Sequence, residues 1–424
     1  MKALRRIGWG LLLVLGVLLL VVLCRSLTHT PVHRYDAELS LPRASIPAGS
    51  NAFDMLAVAA THLWWPKAQD AQIGHLANNT NWDDALASTV LASNRETLIA
   101  WDAAVKLPNL QVPEISTADD LLPYLAEWKK LALLAQVREN VLLRDGHDPE
   151  AFDQMVNEIK MGRRMQNAHG VLIDYLVGAA VNNLGLAQMQ RWTGQAHLTS
   201  DQLKNYARQL ELSPDEAGTA YANAIRVEYQ MWVATLDAMR QGTLTNSGMN
   251  VSYPRAWPAW PLFSFSQTKA LYAAGALKLV KASPHPYGEA KIDDLQARPG
   301  MVSIFLSGNP IGQILYYMMI PAAASSLEKK SRGDAQLQAT RTILALRAYE
   351  LAHGHLPADL AALVPEFLDK VPLDDYDGKP LRYSADKKIV YSVGPNLKDD
   401  GGAGPAFNAS TYKKPLDLVF PFYF

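Results

Sequence analysis

Three oxygen-bearing side chains, Asn396, Asp399 and Asp400, stand just before the pair Gly401-Gly402. Carboxylates and amide oxygens are what Ca²⁺ takes, with ~6–8 oxygens at ~2.3–2.6 Å. The glycines let the backbone turn tightly around an ion, and carbonyls near Val393 and Leu397 can complete the shell. The loop Gly394–Gly402 is therefore expected to hold one Ca²⁺, against the plain alternative of a solvated surface turn. Its spacing is not that of an EF-hand, because Lys398 falls at the third position. The acidic turn Asp374, Asp375 and Asp377 fails that pattern too, with Leu373 at the first position and Ser384 at the last.

The second candidate is aromatic. Trp257 and Trp260, with Tyr253, Phe263 and Phe265, are interleaved with Pro254, Pro258 and Pro261. Such rings can stack on a sugar or form a partner groove. The preferred reading is that they pin an irregular loop against the helices, with Trp257 and Trp260 mainly structural. His353 and His355 are the one close histidine pair, but they fall at a helix end, where turn residues are expected and histidine suits the dipole. There is no G-x-S-x-G elbow, H-E-x-x-H pair or P-loop. Carboxylate pairs such as Glu228 with Asp237 are common on solvated faces. No catalytic residue is assigned, and the chain is read as non-enzymatic.

Composition bounds the partners. The 40 basic and 41 acidic residues leave a net charge of −1, which gives no nucleic-acid footprint. The single cysteine, Cys24, excludes an internal disulfide or a cysteine metal site. Lys2, Arg5 and Arg6 precede an uncharged run from Ile7 to Cys24. That run is long enough for a membrane span of ~17–25 residues. It is read as an uncleaved anchor with the basic end cytoplasmic and the rest outside. Met301–Ser326 is also uncharged, but Gly308, Asn309 and Pro310 interrupt it, so it reads as a buried helix.

The elements between are mostly helical. Asn51 can cap Phe53–Trp64. Asp83–Leu107 reads as one long stretch ended by Pro108. Thr117 can cap Asp119–Leu143. Asp148-Pro149-Glu150 is a strong start, with Phe152, Met155, Val156 and Ile159 on one face. Gly170–Trp192 follows. Thr199 with Gln202 and Ser213 with Glu216 have capping-box spacing, opening Gln202–Leu210 and Asp215–Arg240. Ser266–Lys281 returns to helix. Short turns between these segments suggest an antiparallel array.

The C-terminal quarter carries a different pattern. A long helix ends near Gly354, and Leu360, Leu363 and Val364-Pro365 follow. Pro380–Ser384 and Lys388–Val393 alternate as a hairpin joined at Ala385–Lys387. Gly354 with Pro357, Val371-Pro372-Leu373-Asp374, Pro380 to Tyr383 and Ser392-Val393-Gly394 come in the order found in the major pseudopilin of type II secretion. This quarter resembles that family's globular domain. The resemblance implies a small α+β unit whose loop binds calcium, with Asn396 where the family has an aspartate. The whole chain also resembles membrane-anchored bacterial proteins that pair a helical region with such a C-terminus.

The fold class expected is mainly α, with an N-terminal transmembrane helix, an α-helical array and a small C-terminal pseudopilin-like α+β domain. The parts are 1–27 as cytoplasmic stub and anchor, 28–50 as linker, 51–299 as helical domain with the aromatic segment 241–265, and 300–424 as long helix plus α+β domain. The leading functional expectation is a bacterial inner-membrane, single-pass protein, its bulk periplasmic, that scaffolds or binds an envelope protein partner. A pseudopilin-like filament subunit is one alternative. The family's leader motif and early glutamate are not seen, which weighs against it. An envelope hydrolase acting on glycans is another. No nucleic acid is expected, and Ca²⁺ is the one cofactor.

Overall fold

The computed structural model describes residues 36–211, 218–243, 263–297, 299–404 and 416–424, together with Gly16. Fourteen α-helices and one three-stranded sheet make up these residues, so the molecule is mainly helical. The first long elements are α1 (Ala52–Thr61), α2 (Asp70–Ala77), α3 (Asp84–Ser93) and α4 (Arg95–Lys106). Asn51 caps α1 by accepting the Phe53 N–H at 3.2 Å. Its side chain also exchanges two 2.9 Å bonds with the backbone of Gln111, tying α1 to the segment after α4.

Two helix expectations need correction here. Asp83–Leu107 is two helices, because Asn94 interrupts it. The Asn94 side chain is buried and bonds both the N–H and the carbonyl of Trp64, at 2.8 and 3.1 Å. A short amide that satisfies backbone groups competes with the helix ladder. The next helix, α5 (Tyr124–Arg144), begins five residues later than Asp119. Asp120 instead takes the N–H groups of Ser116 and Thr117 into a turn, and Pro123 fixes the residue before α5.

The centre is α6 (Asp148–Gln166), α7 (Leu172–Trp192), α8 (Ser200–Gln209), α9 (Thr219–Gln241), α10 (Phe265–Ala282) and α11 (Pro310–His353). Pro149 stands in the first turn of α6, and Phe152, Met155, Val156 and Ile159 are all buried. Thr199 and Gln202 form the capping box of α8. The Ser213–Glu216 spacing lies outside the described residues. Helices α6 and α7 touch backbone to backbone. A Cβ on Gly162 would come within 2.3 Å of the Asn182 nitrogen, and one on Gly178 within 2.5 Å of the Gln166 nitrogen. Only glycine permits that approach.

The 44-residue α11 is the axle of the fold and ends at Gly354, whose φ of 77° is left-handed. The expected hairpin forms: β1 (Arg382–Ser384) pairs antiparallel with β2 (Ile389–Ser392), Tyr383 opposite Val390. An unforeseen strand, β3 (Leu418–Pro421), completes the order β1-β2-β3, with Val390 opposite Phe420. Pro421 suits an edge strand. One apolar core runs across residue 300. Phe152, Leu186, Leu344, Phe367, Val390 and Phe420 belong to it together. Backbone bonds cross there too, from Tyr287 N–H to Asp375 O at 2.8 Å and from Gly288 N–H to Tyr376 O at 2.9 Å.

No helix among the described residues is long and apolar enough to cross a membrane. The run Ile7–Cys24 lies outside them, apart from Gly16. Met301–Ser326 is divided at Gly308, where φ is 82°, into a short helix Met301–Phe305 and the start of α11.

Candidate functional site

The acidic loop is wired by its own bonds. Asn396 donates through Nδ2 to Asp400 Oδ2 at 2.8 Å and accepts the Lys398 N–H on Oδ1 at 3.0 Å. Asp399 accepts the Gly401 N–H at 2.9 Å, and its other oxygen lies 3.8 Å from Arg382 Nε. Asp417, buried behind the loop, takes the N–H groups of Asp400 and Gly402 at 3.2 and 2.7 Å. The structure thus brings Asn396 and Asp400 together and turns Asp399 toward a guanidinium. The donor set fits Ca²⁺ in type but not in this arrangement, since Asn396 points its N–H₂ at the carboxylate. Sequence reasoning missed Asp417, which lies 15 residues beyond Gly402.

The other sequence candidates separate. Trp257 and Trp260 lie outside the described residues. His353 and His355 are exposed, their rings 6.3 Å apart, and His353 stacks on Tyr349 at 4.1 Å. Glu228 and Asp237 do not act together. Glu228 accepts the Leu172 N–H at the start of α7 and the Trp232 indole N–H, whereas Asp237 pairs with Lys269. Burial raises the Glu228 pKa.

The acidic turn is a structural knot. Asp374 is fully buried and accepts from four donors: Tyr376 N–H at 3.0 Å, Ser392 Oγ–H at 2.8 Å, Val393 N–H at 2.9 Å and Arg382 Nη1 at 2.9 Å. Arg382 also bridges Asp377. Asp375 reaches across to α11, where it and Asp334 hold the buried Lys330 at 3.1 and 3.0 Å. Burial pushes the Asp375 pKa up to about 6, against the opposing pull of Lys330.

Lys330 also lines a cleft of about 550 Å³ between α6, α7, the start of α9 and α11. Lys160, Arg163 and Arg164 come from α6, and Lys329 and Lys330 from α11. Among the described lining residues the carboxylates are Glu211, which pairs with Arg341 at 3.2 Å, and Asp334, which pairs with Lys330 at 3.0 Å. Lys160 Nζ donates to Gln209 Oε1 at 3.0 Å, Arg163 to the Leu210 carbonyl at 2.7 Å and Arg164 to the Val105 carbonyl at 2.7 Å. Burial first, then Arg164 and Arg163, lower the Lys160 pKa. The signal was in the sequence, as positions i, i+3 and i+4 of one helix, but nothing local showed α11 bringing its lysines opposite.

A further buried pair joins α5 to α6. Glu139 and Glu158 are both fully buried, and their carboxyls face each other without another donor on either. They can bond only if one carries a proton. Burial pushes Glu139 up to about 8, while Arg138 pulls the other way. Burial and then Glu139 raise Glu158 well above the ordinary range. Arg138 is spent on Asp102, with contacts of 2.9 and 3.0 Å. No protein-family model, curated protein or solved structure matches this chain.

Proposed function

We propose that this chain is a non-enzymatic scaffold or binding protein of the bacterial envelope. The run Ile7–Cys24 anchors it in the inner membrane and the bulk lies in the periplasm, as the basic residues before that run imply. Its pseudopilin-like C-terminal unit links it to a secretion or pilus-like assembly. The packing of α11 favours a scaffold over a filament subunit. A subunit that enters a filament through its long helix must present that helix to neighbours. Here α11 is spent inside its own fold. Gln190 of α7 donates to Thr340 Oγ1 at 2.8 Å, Arg341 donates to the Ala207 carbonyl of α8 at 3.2 Å, and Tyr221 of α9 donates to the Ala323 carbonyl at 2.9 Å. Leu337, Ile343, Leu344 and Leu346 are buried against the array and the sheet.

The test is a pull-down of the cross-linked full chain from solubilised membranes, with the sheared-filament fraction collected in parallel. A stoichiometric envelope partner and an empty filament fraction are expected. Recovery of the chain in filaments overturns the scaffold reading. Protease access to a tag after Phe424 only once the outer side is opened is the matching topology result; a tag reached only from the cytoplasmic side overturns the periplasmic placement.

A further inference from the structure

We propose that the outer face of the helix Met301–Phe305 and of the first three turns of α11 docks on a lipid bilayer, lying in its interfacial zone rather than crossing it. The inference rests on the membrane-anchor reading above and adds a second contact with the same membrane. Between Arg298 and Glu328 the sequence has no charged residue. Of thirteen large apolar side chains exposed among the described residues, five fall there: Met301, Val302, Phe305, Ile314 and Met318. Val302 is 72% exposed and Met318 69%. The others are scattered along the chain, as exposed apolar residues normally are. The two helices touch, and their inner faces are held by the fold. Asn309 accepts the Ser264 N–H at 2.8 Å and donates to Thr268 Oγ1 at 3.0 Å, which fixes the turn between them on α10. Tyr316 packs edge-on against Tyr272 of α10, with ring centres 6.0 Å apart. Ile304 and Ile320 are buried, so the apolar side chains left outward are those five.

Lipid is the occupant on two grounds. Specific protein interfaces bring a polar rim and about one hydrogen bond per ~100–200 Å². A face without a charge offers little for such a rim, whereas a bilayer interface asks mainly for apolar surface. The second ground is the tether. The short helix Asp36–Leu39 is where the chain from Ile7–Cys24 enters the described fold. Leu39 is fully buried in one core with Ile320 and Ala324, and Glu38 pairs with Lys281 of α10 at 3.4 Å. Residues 25–35 join this helix to the anchor, and eleven residues reach at most roughly 36–40 Å. Helix α10 holds the tether near its end, at Lys281, and the apolar turn near its start, at Ser264 and Thr268. Its 18 residues are only about 27 Å long. The face therefore lies within reach of the bilayer that holds the anchor.

Fluorescence quenching tests this, with the full chain reconstituted in phosphatidylcholine vesicles through Ile7–Cys24. Cys24 is the single cysteine, so in a Cys24→Ser background Val302→Cys, Met318→Cys and the hairpin control Lys387→Cys each carry one fluorophore. Val302, Met318 and Lys387 are all exposed, so the label leaves the core alone. Lipid brominated near the head of its acyl chain should quench positions 302 and 318 and leave 387 unchanged. Bromine at the chain end should quench them less, because an interfacial helix sinks only ~5–10 Å. Stronger quenching from the chain end overturns docking in favour of crossing. Equally weak quenching at 302 and 387, in a chain that floats with the vesicles, overturns the docking and leaves the anchor standing. A chain that does not float overturns both. Shielding of position 302 from aqueous iodide without quenching by brominated lipid also overturns it, since protein, either a second copy or residues 244–262, then covers the face.

Discussion

Asp374 and the pair Glu139–Glu158 are carboxyls with no exposure at all, yet they are buried in opposite ways. Asp374 meets four donors, one of them a guanidinium, and stays useful as an anion that closes the acidic turn onto β2. Glu139 and Glu158 meet only each other. The first arrangement spends the charge on backbone and side-chain donors. The second keeps a proton in the core of a helical seam. Burial therefore does not decide what a carboxyl does; its donors do.

The largest effect should come from removing the wired group. Asp374→Ala leaves Arg382 half-buried with one partner fewer and strands the Val393 and Tyr376 N–H groups. Breaking one side of a buried ion pair typically costs ~3–5 kcal/mol. Denaturant unfolding should show a lowered midpoint of that size, with the near-ultraviolet signal of the C-terminal unit lost first. A variant that unfolds like the parent would mean that the knot does not hold the sheet.

The unwired pair predicts a pH dependence of a definite sign. A carboxyl whose folded pKa lies above its unfolded value binds its proton in the folded state. Its contribution is full below the unfolded value of 4.5 and is lost as pH rises through the folded value of about 8. The parent should therefore lose stability between those two values. Glu139→Gln/Glu158→Gln cannot titrate, and its two amides can bond each other. The difference in stability between variant and parent should grow by on the order of 2–4 kcal/mol across that window. A constant difference would mean that the pair is not protonated. Other carboxyls, Asp174 at about 6 among them, cancel in that difference.

A third test probes the backbone approach beside the pair. A Cβ on Gly185 would meet Ile159 Cγ1 at 2.8 Å and Glu158 Oε2 at 3.2 Å. Gly185→Ala should cost ~1–3 kcal/mol by overpacking, offset in part by the loss of glycine's entropy. Combined with Glu158→Gln, the two should be non-additive, because they share a contact.

These contrasts also explain what could be read from sequence. The cap of α1, the start of α6, the capping box of α8, the glycine end of α11 and the hairpin all depend on residues within a few positions of each other, so they were legible. Asp374 stood in a readable motif, although its donors did not. The break at Asn94 depends on Trp64, 30 residues away. The cleft depends on α6 meeting α11. Glu139 and Glu158 look like ordinary helix-surface acids until Gly162, Gly178 and Gly185 pull α7 against α6. Whatever needed a distant partner was hidden, and that includes most of the candidate site.

The smallest effect belongs to the acidic loop, which sits between the two extremes of the comparison. Its carboxylates, Asp399 and Asp400, are exposed, and one oxygen of each already accepts from the loop's own N–H groups. A calcium ion must displace the Asn396–Asp400 bond and compete with Arg382 for Asp399. Asn396 brings one negative charge fewer than an aspartate would. Binding is thus expected no tighter than the ~10⁻⁴–10⁻³ M of weak extracellular sites. At a concentration equal to Kd the gain in stability is only roughly 0.4 kcal/mol. The melting temperature of the full chain should rise slightly in millimolar Ca²⁺ and not in Mg²⁺, which demands a stricter octahedral shell. Asp399→Ala/Asp400→Ala should abolish the rise. Asn396→Asp should enlarge it, by returning the missing charge and by replacing an N–H₂ donor with an acceptor. If neither the parent nor Asn396→Asp responds to Ca²⁺, the loop is a turn held by Asp417 and nothing more.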